Sequence, residues 1–260
     1  MLFTDKFVYV HEPKTGGAFV TSVLFRLHDF NWTRWTHLKS TLLTELHHFN
    51  KYGAFVYHNH KHGGCRHIPA TQQHRPSLAT IRNPYDQCVS EYEFGWWRRR
   101  EFYRYYRAVP DFAEKYPQFP KLSFAEYLEL SAAAFGTSTK TDERPGLMTE
   151  RSVKFYFRQP DEVLQRLDDE YITTQQFQTD LFPLHFIRTE NLNRELYNFL
   201  TSMGYAEEDL RFIPNLDKIL PSGKGRNPEQ KWQKYYSPEL KQAIRRKDRL
   251  LFTMFPAFDI

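Results

Sequence analysis

The apolar run Phe7-Val8-Tyr9-Val10 leads into Glu12-Pro13-Lys14-Thr15-Gly16-Gly17, and a helix-like segment from Phe19 to Leu27 follows. Strand, glycine-bearing turn and helix, met in that order, confine the chain to a layered α/β arrangement with an anion cradle at the turn. Glycines let the backbone approach a phosphate closely, the start of the helix offers N–H donors with a partial positive charge, and Lys14 adds a full one. The expected ligand is a phosphate ester, lined by Pro13, Lys14, Thr15, Gly16, Gly17 and Ala18. The stretch is not expected to be the nucleotide-triphosphatase form G-x-x-x-x-G-K-[ST], because Lys14 precedes the glycine pair and no Ser or Thr is read as following a lysine there to hold magnesium. A ligand handled without a metal fits better. The competing reading of so short a motif is an ordinary surface turn.

A second run, Ser77-Leu78-Ala79-Thr80-Ile81, ends in Arg82-Asn83-Pro84, with helical signals through Ser90 and Tyr92. Pro84 suits the first turn of a helix, where its missing N–H costs nothing, and Asn83 can cap it. Arg82 then stands at the carboxyl end of a strand, where open α/β sheets bind ligands, with Ser90 about two turns into the helix. A guanidinium fork and a hydroxyl can hold a second phosphate. The plain alternative is a salt bridge from Arg82 to Asp86 or Glu91.

Between these two, Ala54-Phe55-Val56 runs into Tyr57-His58-Asn59-His60-Lys61-His62. If the strand continues, alternation puts His58, His60 and His62 on one face. They read as a general base for a hydroxyl proton, as a metal site completed by His62, His67 or His11, or as a wet strand end.

With a phosphate loop after the first run, histidines after the second and arginine with serine after the third, the chain resembles the carbohydrate-type sulfotransferases that use 3′-phosphoadenylyl sulfate. That family's P-K-T-G-G-T loop is matched by Pro13-Lys14-Thr15-Gly16-Gly17, with Ala18 in place of the usual threonine, so one hydroxyl is missing from the cradle. Its R-[ND]-P-x-x-x-x-x-S-x-Y element is matched by Arg82, Asn83, Pro84, Ser90 and Tyr92. Heparan sulfate 2-O-sulfotransferases carry a Y-H-G-H segment similar to Tyr57-His58-Asn59-His60, and Phe186-Ile187-Arg188-Thr189-Glu190-Asn191-Leu192 is similar to the family's strand-to-helix segment.

The resemblance implies in-line sulfuryl transfer to an acceptor hydroxyl, on a glycan or glycoconjugate, with adenosine 3′,5′-bisphosphate as product and no metal. Lys14 would neutralise charge on the leaving phosphate, Arg82 and Ser90 would hold the 3′-phosphate, and His60 would act as base, with His58 the second candidate. Lys224, Gly225 and Arg226, in the basic loop Pro221 to Arg226, are candidates to close over the 3′-phosphate or are a solvated connection. Two other classes stay open: a phosphate-loop nucleotide or sugar kinase, and a noncatalytic polyanion-binding protein.

Apolar strands separated by helices indicate a P-loop-like parallel sheet flanked by helices on both faces, and 260 residues suit a single domain, 1–260. Residues 95–185 form a helical region within it, where acceptor specificity is expected to reside. Its densest part, Trp96 to Arg107, interleaves aromatics with arginines. It could grip a sulfated or carboxylated glycan, stack on single-stranded nucleic acid, or be an amphipathic helix continuing from Ser90 with rings inward and arginines in water. No nucleic-acid partner is expected. Lys and Arg number 36 against 31 Asp and Glu, which favours anionic ligands without choosing one.

No stretch is long and apolar enough to span a bilayer. With Met1 as the natural start, the protein is expected in the cytoplasm; the alternative is a Golgi-lumenal domain whose anchor has been removed. Cys65 and Cys88 are too few for a disulfide framework and are expected as thiols. Asn31-Trp32-Thr33 matches a glycosylation triplet. Ser123 with Glu126 reads as a capping box, Leu192 to Met203 as a helix stopped by Gly204, and Ser237-Pro238 as the start of one long final helix.

Overall fold

The structure, a computed structural model, describes residues 1–59, 62–136, 145–217, 226–227 and 229–260. Contacts group the chain into two compact units, one of Met1–Arg82, Phe155–Arg158 and Leu181–Gly223, the other of Asn83–Lys154, Gln159–Asp180 and Lys224–Ile260.

The first unit carries the sheet. Its strands are β1 (Leu2–Thr4), β2 (Val8–Val10), β3 (Glu45–Asn50), β4 (Gly53–His58), β5 (Ser77–Ile81) and β6 (Leu184–Arg188), ordered β3-β4-β1-β2-β5-β6. The expected α/β architecture is present. β2, β5 and β6 are parallel, with Val10 opposite Ala79 and Ile81 opposite Arg188. The other half of the sheet is antiparallel, because two tight turns fold strands back on their neighbours. Thr4 fixes the first: its hydroxyl accepts from the N–H of Phe7 at 2.9 Å and of Lys6 at 3.1 Å, so β1 must return antiparallel as β2. Asn50 fixes the second by accepting from the N–H of Tyr52 at 2.9 Å, an Asx turn between β3 and β4. Since β1 is antiparallel to both β2 and β4, β4 points the same way as β2, β5 and β6. Four strands therefore end on one sheet edge.

Helix α1 (Gly17–Leu27) buries Val20, Val23, Leu24 and Leu27, the i, i+3, i+4, i+7 stripe that a sheet-covering helix needs. Helix Leu192–Ser202 buries Leu192, Leu196, Phe199 and Leu200, an i, i+4, i+7, i+8 stripe, and Gly204, at φ 73°, follows its stop. Both stripes meet Tyr9, Phe55, Leu78 and Ile187 in one core. Each such side chain contributes about 1.5–3 kcal/mol of burial. Phe186 alternates to the opposite face, where Tyr156 packs edge-on with centroids 5.0 Å apart.

The second unit is helical and aromatic. Its first helix, α3 (Pro84–Phe94), is capped as expected by Asn83, with Pro84 at the first position. Gly95, left-handed at φ 67°, ends it, so Trp96 to Arg107 is not a continuation of α3 but a set of short turns and a helix over Tyr103–Arg107. The partition of side chains is the amphipathic one: Trp97 and Tyr106 are fully buried, while Arg98, Arg99, Arg100, Arg104 and Arg107 are exposed. Ser123 and Glu126 form their capping box. The final helix is broken in two, Pro238–Lys247 and Arg249–Met254. Asp248 sits at the break, buried, its carboxylate accepting from the N–H of Thr149 at 2.8 Å, and burial pushes its pKa up to about 6. Cys65 and Cys88 are buried free thiols.

Candidate anion site at the sheet edge

The loop between β2 and α1 is held from below. Thr15 is buried; its hydroxyl donates to the Glu12 carbonyl at 2.8 Å and lies 2.7 Å from the Thr80 hydroxyl on β5. Tyr9 reaches the same Thr80 hydroxyl at 3.2 Å. The Thr189 hydroxyl, just past β6, lies 2.8 Å from the Thr15 carbonyl and 3.0 Å from that of Ile81. One side chain thus joins the ends of β5 and β6 to the loop.

Thr15 does follow Lys14, so a Lys-Thr pair is present in the loop. Its hydroxyl is engaged inside the protein, however, and not turned to the ligand side where a triphosphatase serine or threonine would hold magnesium.

Arg82 lies where the sequence placed it, one residue beyond β5, and its Nη1 donates to the Lys14 carbonyl at 3.0 Å. The Lys14 and Thr15 carbonyls are both taken by protein donors. A trans peptide sets N–H opposite C=O, so the N–H groups of Thr15 and Gly16 are turned the other way. Lys14 (φ 68°) and Gly16 (φ 97°) are both left-handed, a backbone that aims successive amides at a common point. Lys14 holds this conformation, as Asp29, Asp111 and Gln175 do elsewhere, at a cost of order 1–3 kcal/mol.

Electrostatics point the same way. Burial first, and the neighbouring Arg82 second, lower the Lys14 ammonium from its ordinary value to about 8. Two cations share the approach to the α1 start, whose cap Gly16 supplies no side-chain hydrogen bond and whose first turn carries no acid. An anion seated there is favoured by the helix dipole and by both charges.

Gly17 is required for a different reason. A Cβ on it would fall inside the ring of His11, which is buried against the helix start and stacks on Tyr9 at 5.8 Å between centroids. His62 meets His11 edge-on at 4.7 Å, and its Nδ1 lies 3.1 Å from the His11 carbonyl. A carbonyl only accepts, so Nδ1 of the neutral His62 ring carries the proton and Nε2 the lone pair.

Of the histidines after β4, His58 ends the strand and its ring lies edge-on to Phe3 at 6.2 Å. β4 ends at His58, and the shared face expected of His58, His60 and His62 involves a position outside the described residues. His60 lies outside the described residues. Among the described residues no group of three or more His, Cys, Asp or Glu could hold a metal ion. Ser90 is half-buried within α3, and Tyr92 donates to the Leu122 carbonyl at 2.8 Å. Asp86 pairs with Arg226 at 2.6 Å, and Glu91 pairs with Arg151. Lys224 and Gly225 lie outside the described residues.

Sequence reasoning missed Thr189, whose role depends on three strand ends meeting, and saw His11 only as a metal ligand. A histidine directly after a strand and six residues before the second glycine was the one signal available for the latter.

No family model matches the chain, and no curated protein matches it. Among solved structures it is similar to mouse sulfotransferase SULT7A1 complexed with PAP, with 14% sequence identity over 95% of this chain and 83% of that one and a TM-score of 0.42.

Proposed function

We propose that the protein is a sulfotransferase, moving a sulfuryl group from 3′-phosphoadenylyl sulfate to an acceptor hydroxyl, on a glycan, by in-line displacement. The observation that carries this reading is the contact of Arg82 Nη1 with the Lys14 carbonyl at 3.0 Å, which sets two cations side by side at the ends of adjacent parallel strands. A single bisphosphorylated nucleoside can engage both there. In this reading Lys14 and the amides of Thr15 and Gly16 receive the 5′-phosphosulfate, and Arg82 the 3′-phosphate. The attacking and leaving oxygens need positioning and charge stabilisation rather than covalent help. Charge grows on the phosphate that departs, at the point where Lys14 and the α1 dipole converge. The acceptor proton passes to a histidine of the segment after β4, His60 first and His58 second.

Thermal shift tests the assignment. Adenosine 3′,5′-bisphosphate without magnesium should raise the melting temperature, and more than ATP with magnesium does. Preference for ATP with magnesium would make the protein a kinase; a response to heparin alone would make it a polyanion binder. Arg82→Ala should weaken bisphosphate binding roughly tenfold to a hundredfold, the range of a lost charge-assisted contact, as read by calorimetry. Unchanged affinity removes Arg82 from the site.

A further inference from the structure

Helix α2 (Arg34–Leu42) is held by a capping box between Thr33 and Thr36, yet none of its residues is buried. A nine-residue helix is marginal in water without packing. At 100° per residue, Trp35, Leu38 and Leu42 fall within a sector of about 60°, and all three are exposed, Trp35 by 73% and Leu42 by 77%. Leu43, just beyond, and Trp32, just before, extend the apolar strip. Trp32 is anchored to the first unit by rings of Phe25 at 6.0 Å and Tyr57 at 4.9 Å.

The charges decide what covers this strip. Arg34 and Lys39 lie on its two margins, each about 40° beyond the outermost apolar residue, and Thr36, His37, Ser40 and Thr41 complete the other side. No acidic residue occurs from Asn31 through Leu43. A second copy docked through the same face would set these cations against their equivalents with no carboxylate to pair them. An anionic lipid surface answers every feature: apolar side chains enter the acyl boundary, tryptophans sit at the headgroup level, and the marginal cations reach lipid phosphates and carboxylates.

We propose that α2 is an interfacial membrane anchor that lays the protein on anionic bilayers. It lies on the surface and does not cross it, since nine residues rise about 14 Å against a hydrocarbon core of about 30 Å. This inference uses no residue of the anion site and stands or falls separately from the proposed activity.

The test is flotation of the full chain with vesicles of phosphatidylcholine alone and with phosphatidylserine added. Binding should require phosphatidylserine and weaken with salt. Arg34→Gln and Lys39→Gln should each reduce it roughly fivefold. Trp35→Ser combined with Leu42→Ser should abolish it while leaving the melting temperature in place, because neither side chain belongs to the core. Quenching of tryptophan fluorescence by brominated lipid in the wild-type protein, diminished in Trp35→Phe, reports insertion directly and needs no variant that might unfold. Equal binding to both vesicle types, no binding to either, or a concentration-dependent dimer dissolved by Leu42→Glu would each overturn the proposal, the last by assigning the strip to a second copy.

Discussion

Helices α1 and α3 each follow a short strand and a turn, and they complete their first turns in opposite ways. At α3, Asn83 accepts from the N–H of Tyr85 at 2.9 Å, Pro84 removes a donor, and Asp86 adds a carboxylate that Arg226 pairs at 2.6 Å. At α1 the cap is a left-handed glycine that makes no side-chain cap hydrogen bond, the first turn carries no acid, and a lysine precedes the glycines. One helix start is satisfied from within the protein. The other is preloaded with positive potential, at the expense of backbone strain and a half-buried ammonium. Under the proposed function, that difference separates a helix start that serves the fold from one that serves a ligand.

The largest effect that tests the contrast is on Lys14. In the folded chain its ammonium titrates near 8, whereas in the unfolded chain it titrates near 10.4. The folded value is the lower one, so the charge opposes folding. The penalty is fully present below about pH 8 and fades as pH rises from there toward the unfolded value. Lys14→Met should therefore raise the melting temperature at pH 7, with a smaller gain near pH 10, while slowing sulfuryl transfer by about 10²–10³. Melting curves at the two pH values and single-turnover rates measure both sides. A variant that is less stable at pH 7 would mean that Lys14 serves the fold, as Asp86 does at α3.

Ala18→Asp would convert the α1 start toward the α3 kind. A carboxylate in the first turn is worth about 0.3–1 kcal/mol to the helix and competes with the ligand. The unliganded protein should melt higher, and adenosine 3′,5′-bisphosphate should bind roughly tenfold to a hundredfold more weakly. The reciprocal change, Asn83→Ala, should cost about 1 kcal/mol of stability in a denaturant titration, from the lost cap. If Ala18→Asp leaves bisphosphate affinity alone, the α1 start is no more a ligand site than α3.

These two starts also show what a sequence discloses. Asn83-Pro84 and the Ser123 and Glu126 box are local devices whose partners lie within four residues, and both stand where pattern reasoning put them. Arg82 and Lys14 were legible as cations at strand ends, though not as neighbours. What stayed hidden is long-range. The three residues of β1 pair with both β2 and β4, a bridge that no periodicity announces, and it is β1 that makes half of the sheet antiparallel. Asp248, at the break between the last two helices, accepts an N–H from Thr149, ninety-nine residues away. Thr189 reaches Thr15 across 174 residues. His11 matters because a ring occupies the space that a Cβ on Gly17 would need, a relation of volume rather than of motif.

The smallest predicted effect discriminates most finely. Ala18 stands where the resembled family has threonine, at the second residue of α1, half-buried. Ala18→Thr restores one hydroxyl to the cradle, and a single added hydrogen bond nets about 0.5–1.5 kcal/mol, so bisphosphate should bind roughly twofold to tenfold more tightly by calorimetry. Threonine and aspartate are nearly the same size. Any steric intrusion into the cradle would weaken binding in both variants alike, whereas a seat for an anion must separate them, tighter with the hydroxyl and looser with the carboxylate. Equal losses in the two variants would show that position 18 limits the site by space alone, and that the charge asymmetry between the α1 and α3 starts is not what recruits the ligand.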